Sequence, residues 1–203
     1  SMRSSINYHY ALEKELERLK FGALRPKLLL HSCCAPCSSY VLECLRDYFD
    51  ITVYFYNPNI YPEKEYSRRL TELEKFLKDF DKGSNIGFIH EEYSPLEFAA
   101  CAKGYEEEKE GTERCSKCFD LRLSKTAGKA KELSFDYFAT TLTVSPHKNA
   151  EMINSTGISL SETYGIKYLV SDFKKKNGFK RTIELSAEYG LYRQNYCGCE
   201  FSL

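Results

Sequence analysis

Lys27-Leu28-Leu29-Leu30-His31-Ser32-Cys33-Cys34-Ala35-Pro36-Cys37-Ser38-Ser39 is the stretch on which the reading of this chain turns. Its first five residues are a short apolar run of the kind a buried strand explains. Small residues follow, with a proline placed where a helix starts. A strand that runs through a tight turn into a helix is the opening unit of a parallel α/β sheet. Functional groups in such sheets gather at the carboxyl ends of the strands. Cys33, Cys34 and Cys37 lie at that point, where helix N-terminal amides and the helix dipole favour thiolates.

Outward from this unit the pattern repeats. Residues 8–20 carry Tyr10, Leu12, Leu16 and Leu19 at helical spacing. Ile51 to Tyr56 reads as a second strand closed by Asn57-Pro58-Asn59, and a charged helix runs from Pro62 to Phe80. Ile86 to Ile89 gives a third strand, and Ser94-Pro95-Leu96-Glu97 has the pattern of a capping box. A helix entered at Arg114-Cys115 ends near Leu133, Phe135 to Thr143 reads as a fourth strand, and Lys167 to Val170 as a fifth. A helix opens after Ser145-Pro146-His147-Lys148. Strands alternating with helices predict a three-layer, Rossmann-like α/β fold of the HUP or PP-loop-like kind. It has a parallel sheet of about five strands and a less regular C-terminal tail folded over the strand ends. Residues 1–203 read as one metal-thiolate domain, with Ser1-Met2 as the remnant of a tag.

No run of about 18 apolar residues occurs, so no membrane-spanning helix is expected. The first residues also lack an export signal, which makes the reducing cytoplasm the expected location. Nine cysteines among 203 residues therefore point to metal binding or redox catalysis rather than to disulfide staples. The 29 basic and 29 acidic residues balance, and do not announce a nucleic-acid binder. Lys174-Lys175-Lys176 with Lys180 and Arg181 is the one dense basic stretch: a solvated loop, or a contact for RNA phosphate.

With Cys44 and Cys101 set aside as packing residues, the thiols form three groups: Cys33-Cys34-x-x-Cys37, Cys115-x-x-Cys118 and Cys197-x-Cys199. Two from each of the first two groups make a Cys₄ set, which suits a [4Fe–4S] cluster or one tetrahedral zinc. Seven clustered thiols, and an adjacent pair unusual for zinc, favour iron and sulfur. Cys37, Cys197 and Cys199 are left for a second metal, or Cys197 and Cys199 for a labile disulfide. His31, Asn57, Asn59, His147 and Lys148 all follow strands and share the candidate rim.

Several of these segments resemble the QueH family, the cobalamin-independent epoxyqueuosine reductases. They are His31-Ser32-Cys33-Cys34-Ala35-Pro36-Cys37, Phe55-Tyr56-Asn57-Pro58-Asn59-Ile60 and Arg114-Cys115-x-x-Cys118. Thr140-Thr141-Leu142-x-x-Ser145-Pro146-x-Lys148 and Tyr192-Arg193-Gln194-Asn195-Tyr196-Cys197-Gly198-Cys199 complete the match. The resemblance implies reduction of the epoxide of epoxyqueuosine to queuosine at a tRNA wobble base, the last step of queuosine synthesis. It implies [4Fe–4S] ligands at Cys33, Cys34, Cys115 and Cys118, with Cys197 and Cys199 as a redox pair or, with Cys37, as ligands of a second mononuclear iron. Cobalamin is not expected, and an electron donor is. Asn57, Asn59, His147, Lys148 and Arg193 are the expected substrate contacts. The competing readings are an adenylyl-sulfate-reductase-like iron–sulfur enzyme, disfavoured because the turn after the first strand lacks glycine, and a zinc-stabilised RNA-binding module.

Overall fold

The computed structural model describes residues 6–81 and 85–203, so Ser1-Met2 lies outside the described residues. Helix α1 spans Tyr8–Phe21, β1 Lys27–His31, α2 Ala35–Leu45, β2 Asp50–Phe55 and α3 Glu63–Phe80. Next come β3 Gly87–His90, α4 Pro95–Ala102, α5 Glu113–Glu132 and β4 Tyr137–Thr140. After a 3₁₀ turn at Leu142–Val144 the chain forms α6 Ala150–Tyr164, β5 Lys167–Tyr168 and α7 Gly178–Tyr189, and a last 3₁₀ turn at Glu200–Ser202.

The five strands form one sheet in the order β3-β2-β1-β4-β5, every pair parallel. Side chains of a strand point alternately to opposite faces. Leu28, Leu30, Val53 and Phe55 therefore face one layer with Val41, Leu42 and Phe76, while Leu29, Tyr54 and Phe138 face the other with Leu123, Ala127 and Ile153. With both faces covered, the expected three layers are realised. The strand order reverses direction at β1, so the crevice between the ends of β1 and β4 is the topological switch point where ligands bind in open α/β sheets.

Three local expectations change. The fourth strand stops at Thr140, because the Thr140 hydroxyl accepts the Leu142 N–H (3.2 Å) and turns the chain into the 3₁₀ segment. Ser94 makes no side-chain cap: the Glu97 N–H donates to the Ser94 carbonyl (3.1 Å), and the Glu97 carboxylate is engaged by the Tyr56 hydroxyl. The region expected to be less regular contains α7, twelve residues packed against α2 and α3. Only the segment beyond it, from about residue 190, folds back as a tail over the strand ends.

Candidate metal-thiolate site

Cys34 caps the start of α2 and Pro36 sits in its first turn, so the chain leaves β1 and enters the helix within three residues. This places the Cys33, Cys34 and Cys37 sulfurs all within 4.8 Å of one another, with Cys33 and Cys34 separated by 3.8 Å. Hydrogen bonds from Cys34 and Cys37 hold the Cys33 thiol well below the usual range. The same coupling pushes Cys37 up, and Cys34 to about 12. Three sulfurs this close together form a preformed soft-donor cradle.

The first turn of α5 supplies Cys115 and, three residues on, Cys118 on the same side of the helix. Cys115 accepts the Gly111 N–H at 3.2 Å. Burial pushes Cys118 up to about 11, against the opposing pull of the Arg122 guanidinium.

The tail brings the third group. Gly198 has φ +118° and its carbonyl accepts the Tyr61 N–H at 2.7 Å, which pins the turn beside the segment after β2. Arg69 reaches out of α3, pairs with Glu65 (2.9 Å) and donates to the carbonyls of Tyr196 and Cys197. Glu65 also accepts the Tyr192 hydroxyl at 2.9 Å.

A cavity of about 500 Å³ opens among these segments, lined by Cys33, Cys37, Cys115, Cys118, Cys197 and Cys199. Cys34 lies behind them, fully buried. Side-chain packing groups Cys33, Cys34, Cys37 and Cys115 together. It sets Cys118, Cys197 and Cys199 together beside Phe98.

Of the other expected residues, Asn59, His147, Lys148 and Arg193 line the cavity. The buried Asn59 Oδ1 has no hydrogen-bond partner, nor has Gln194 Oε1. Asn57 is not on the wall. Its amide donates to the Ser32 carbonyl (2.9 Å) and its oxygen meets His31 (3.1 Å), so it ties the ends of β1 and β2 together. His31 is fully buried with both ring nitrogens bonded, and burial pushes its pKa down to about 4. It is a neutral structural histidine. Cys101 donates to the Lys117 carbonyl (3.2 Å) and Cys44 packs on the core, and neither lines the cavity.

The basic stretch leading into α7 and its first turn is largely committed elsewhere. Lys174 pairs with Asp172 (2.6 Å), Lys176 with Glu13, and Arg181 with Glu43 and Glu184. The cations missed by the sequence reading are internal: Arg69, Arg114 and Arg122, all buried and all on the cavity wall.

Comparisons with known proteins place the chain in a family. The family model described as Epoxyqueuosine reductase QueH matches residues 28–203. The chain belongs to the QueH family. A QueH of Streptococcus pyogenes is 48% identical over 97% of this chain and 78% of its own length. One from Staphylococcus epidermidis is 47% identical (97% of this chain, 84% of the relative), and one from Thermotoga maritima 38% (87% and 90%). All three are named epoxyqueuosine reductases, which makes the QueH chain described here an oxidoreductase of queuosine biosynthesis. Among solved structures, the U34-tRNA thiolase NcsA of Methanococcus maripaludis, solved with its [4Fe-4S] cluster, superposes with a TM-score of 0.54. The match covers 96% of this chain and 69% of NcsA at 13% identity, and shows a shared PP-loop-like fold.

Proposed function

We propose that this chain reduces epoxyqueuosine to queuosine in tRNA, as one α/β domain in the cytoplasm, using a [4Fe–4S] cluster held by Cys33, Cys34, Cys115 and Cys118. The carrying observation is that six thiols from three distant segments line one cavity, with Cys34 3.8 Å from Cys33. The donor set fits the group: soft thiolates suit iron–sulfur clusters, and all seven are buried or half-buried. Bound there, the cluster supplies electrons one at a time.

Removing an epoxide oxygen as water consumes two electrons and two protons. Cys37, Cys197 and Cys199 are the second element, either as ligands of a mononuclear iron or with Cys197 and Cys199 as a dithiol. As a dithiol they give up two electrons and two protons and close to a disulfide, and the epoxide becomes alkene and water. His147, Lys148 and Arg193 stand at the mouth, where they meet the phosphates flanking a splayed wobble nucleotide. Asn59 and Gln194 offer unpaired oxygens deeper in, to hydrogen-bond donors on the modified base. An external donor returns electrons after each turnover.

The test is anaerobic purification with iron, sulfide and zinc analysis, then turnover of epoxyqueuosine-containing tRNA without added cobalamin. Four irons with matching sulfide and queuosine formation are expected. Stoichiometric zinc without sulfide after reconstitution would overturn the redox reading.

A further inference from the structure

Helix α5 presents Arg114, Cys118 and Arg122 at successive four-residue steps, which lie above one another on one helical face. Both arginines are buried, at 2% and 4% exposure, and both line the cavity. A buried guanidinium ordinarily has a carboxylate partner, as Arg69 has Glu65. Among the described residues neither Arg114 nor Arg122 has one within 4.0 Å.

What they do touch is neutral. Arg114 donates to the carbonyls of Tyr105 (3.4 Å), Glu106 (3.3 Å) and Glu108, with the Phe201 ring 5.3 Å away. Arg122 has two long contacts, to the Cys118 carbonyl (3.4 Å) and Asn57 Oδ1 (3.5 Å), and the Phe119 ring at 5.6 Å. The cavity wall as a whole carries Arg69, Arg114, Arg122, Lys148 and Arg193 against one carboxylate, Glu110. In a chain whose formal charge is zero, this local excess is matched to an anionic occupant.

We propose that Arg114 and Arg122 are charge-compensating residues that neutralise the thiolate-ligated metal centre and set its reduction potential, a role that rests on the cluster reading above. A cluster held by thiolates is net negative and gains a further negative charge on reduction. Two fixed cations in a water-poor site favour the reduced form, which raises the potential. Arginine suits the position because it stays charged when buried, and a lysine there keeps its proton only through the anionic centre beside it.

The experiment is a redox titration of anaerobically reconstituted protein without RNA, followed by visible absorption. It compares wild type with Arg114→Met, Arg122→Met and Arg122→Lys. Each methionine variant, iron and sulfide content unchanged, is expected to be about tenfold harder to reduce, that is about 59 mV more negative for one electron. Arg122→Lys is expected to stay close to wild type. Methionine variants that fail to load iron, beside a lysine variant that loads fully, support the same charge requirement. Fully loaded methionine variants with the wild-type potential would overturn the proposal, the more clearly if their tRNA affinity fell, since the arginines would then serve a nucleotide phosphate. Equal loss of iron in the lysine and methionine variants would also overturn it, by making shape rather than charge the requirement. A wild type without iron and sulfide fails earlier, and that result sinks the cluster reading itself.

Discussion

The Nη1 of Arg69 donates to the backbone carbonyl of Cys197 across 2.9 Å and 128 residues of sequence. Its Nη2 takes the preceding carbonyl, of Tyr196, at 3.0 Å. One side chain of α3 thereby fixes the direction in which the Cys197-Gly198-Cys199 turn meets the cavity. Arg69→Met leaves two carbonyls without their donor and the Glu65 carboxylate with only the Tyr192 hydroxyl. It is expected to cost about 3 kcal/mol of stability by urea unfolding. Amide exchange at Tyr196–Cys199 should rise well above that of β1, whereas uniform acceleration across the fold would deny the tail-specific role.

Seven thiols also have to be divided between two duties, and two divisions are on the table. Family resemblance puts Cys118 with the cluster and Cys37 with the second centre, whereas side-chain packing puts Cys37 with Cys33, Cys34 and Cys115. If the resemblance holds, Cys118→Ala removes most of the acid-labile sulfide, and Cys37→Ala leaves sulfide intact while costing at most one iron per chain. The reverse pattern would establish the packing division. Cys44→Ser and Cys101→Ser should leave iron and sulfide unchanged.

Cys197→Ser is expected to abolish turnover, by at least about a hundredfold, without loss of the cluster's visible absorption. Thiol counting after a single turnover then separates the two roles of the tail. Loss of two titratable thiols marks a dithiol, and constant thiols with a fifth iron mark a metal site.

Gly198 cannot be replaced cheaply. At φ +118° an L side chain is strained, and an added Cβ would lie 3.0 Å from both Arg69 Nη1 and Ile60 Cγ1. Gly198→Ala is therefore expected to destabilise by roughly 2 kcal/mol and to depress activity through Cys197 and Cys199. A fully active Gly198→Ala with unchanged melting would remove the turn from the argument.

RNA binding should depend on the cavity mouth rather than on the lysine run. Lys148→Ala and Arg193→Ala are each expected to weaken tRNA binding and to lower the salt slope by about 1. Lys174→Ala, whose ammonium is held by Asp172, should do neither. Filter binding across a salt series decides between them.

Much of this architecture is written in local pattern. Leu28-Leu29-Leu30 is buried on both faces, so β1 appears at the expected residues, and the Cys33–Cys37 turn follows. Helix α7 was hidden because its inner face mixes small and polar residues with only Leu185 and Tyr189 as large apolar ones. Thr182 and Ser186 bond back to the carbonyls four residues earlier, and Gly178 sits where a Cβ would strike the Phe173 carbonyl. Such a face shows only a thin, interrupted apolar stripe. The buried arginines left a faint mark in retrospect. Arg69 stands in line with Tyr66, Leu73 and Phe76, and Arg122 beside Phe119, Leu123 and Thr126, each a charge on an otherwise inward-facing row. No local pattern could show that the tail returns, because Arg69 and Cys197 meet only through the fold.

The separation of the cysteine groups along the chain has a consequence for biogenesis. Cys37 and Cys197 face one cavity but lie about 160 residues apart in sequence. At ribosomal speeds of about 5–20 residues per second, the first thiol triad precedes its last partners by roughly ten to thirty seconds. For about the first half of that interval, until Cys115 and Cys118 are made, the growing polypeptide displays three sulfurs with no further donor group beside them. On the proposed ligand division, loading of the whole seven-thiol site is therefore expected only on the finished, folded apoprotein, and oxygen reaching the triad before then is the hazard a cell expressing this chain has to manage.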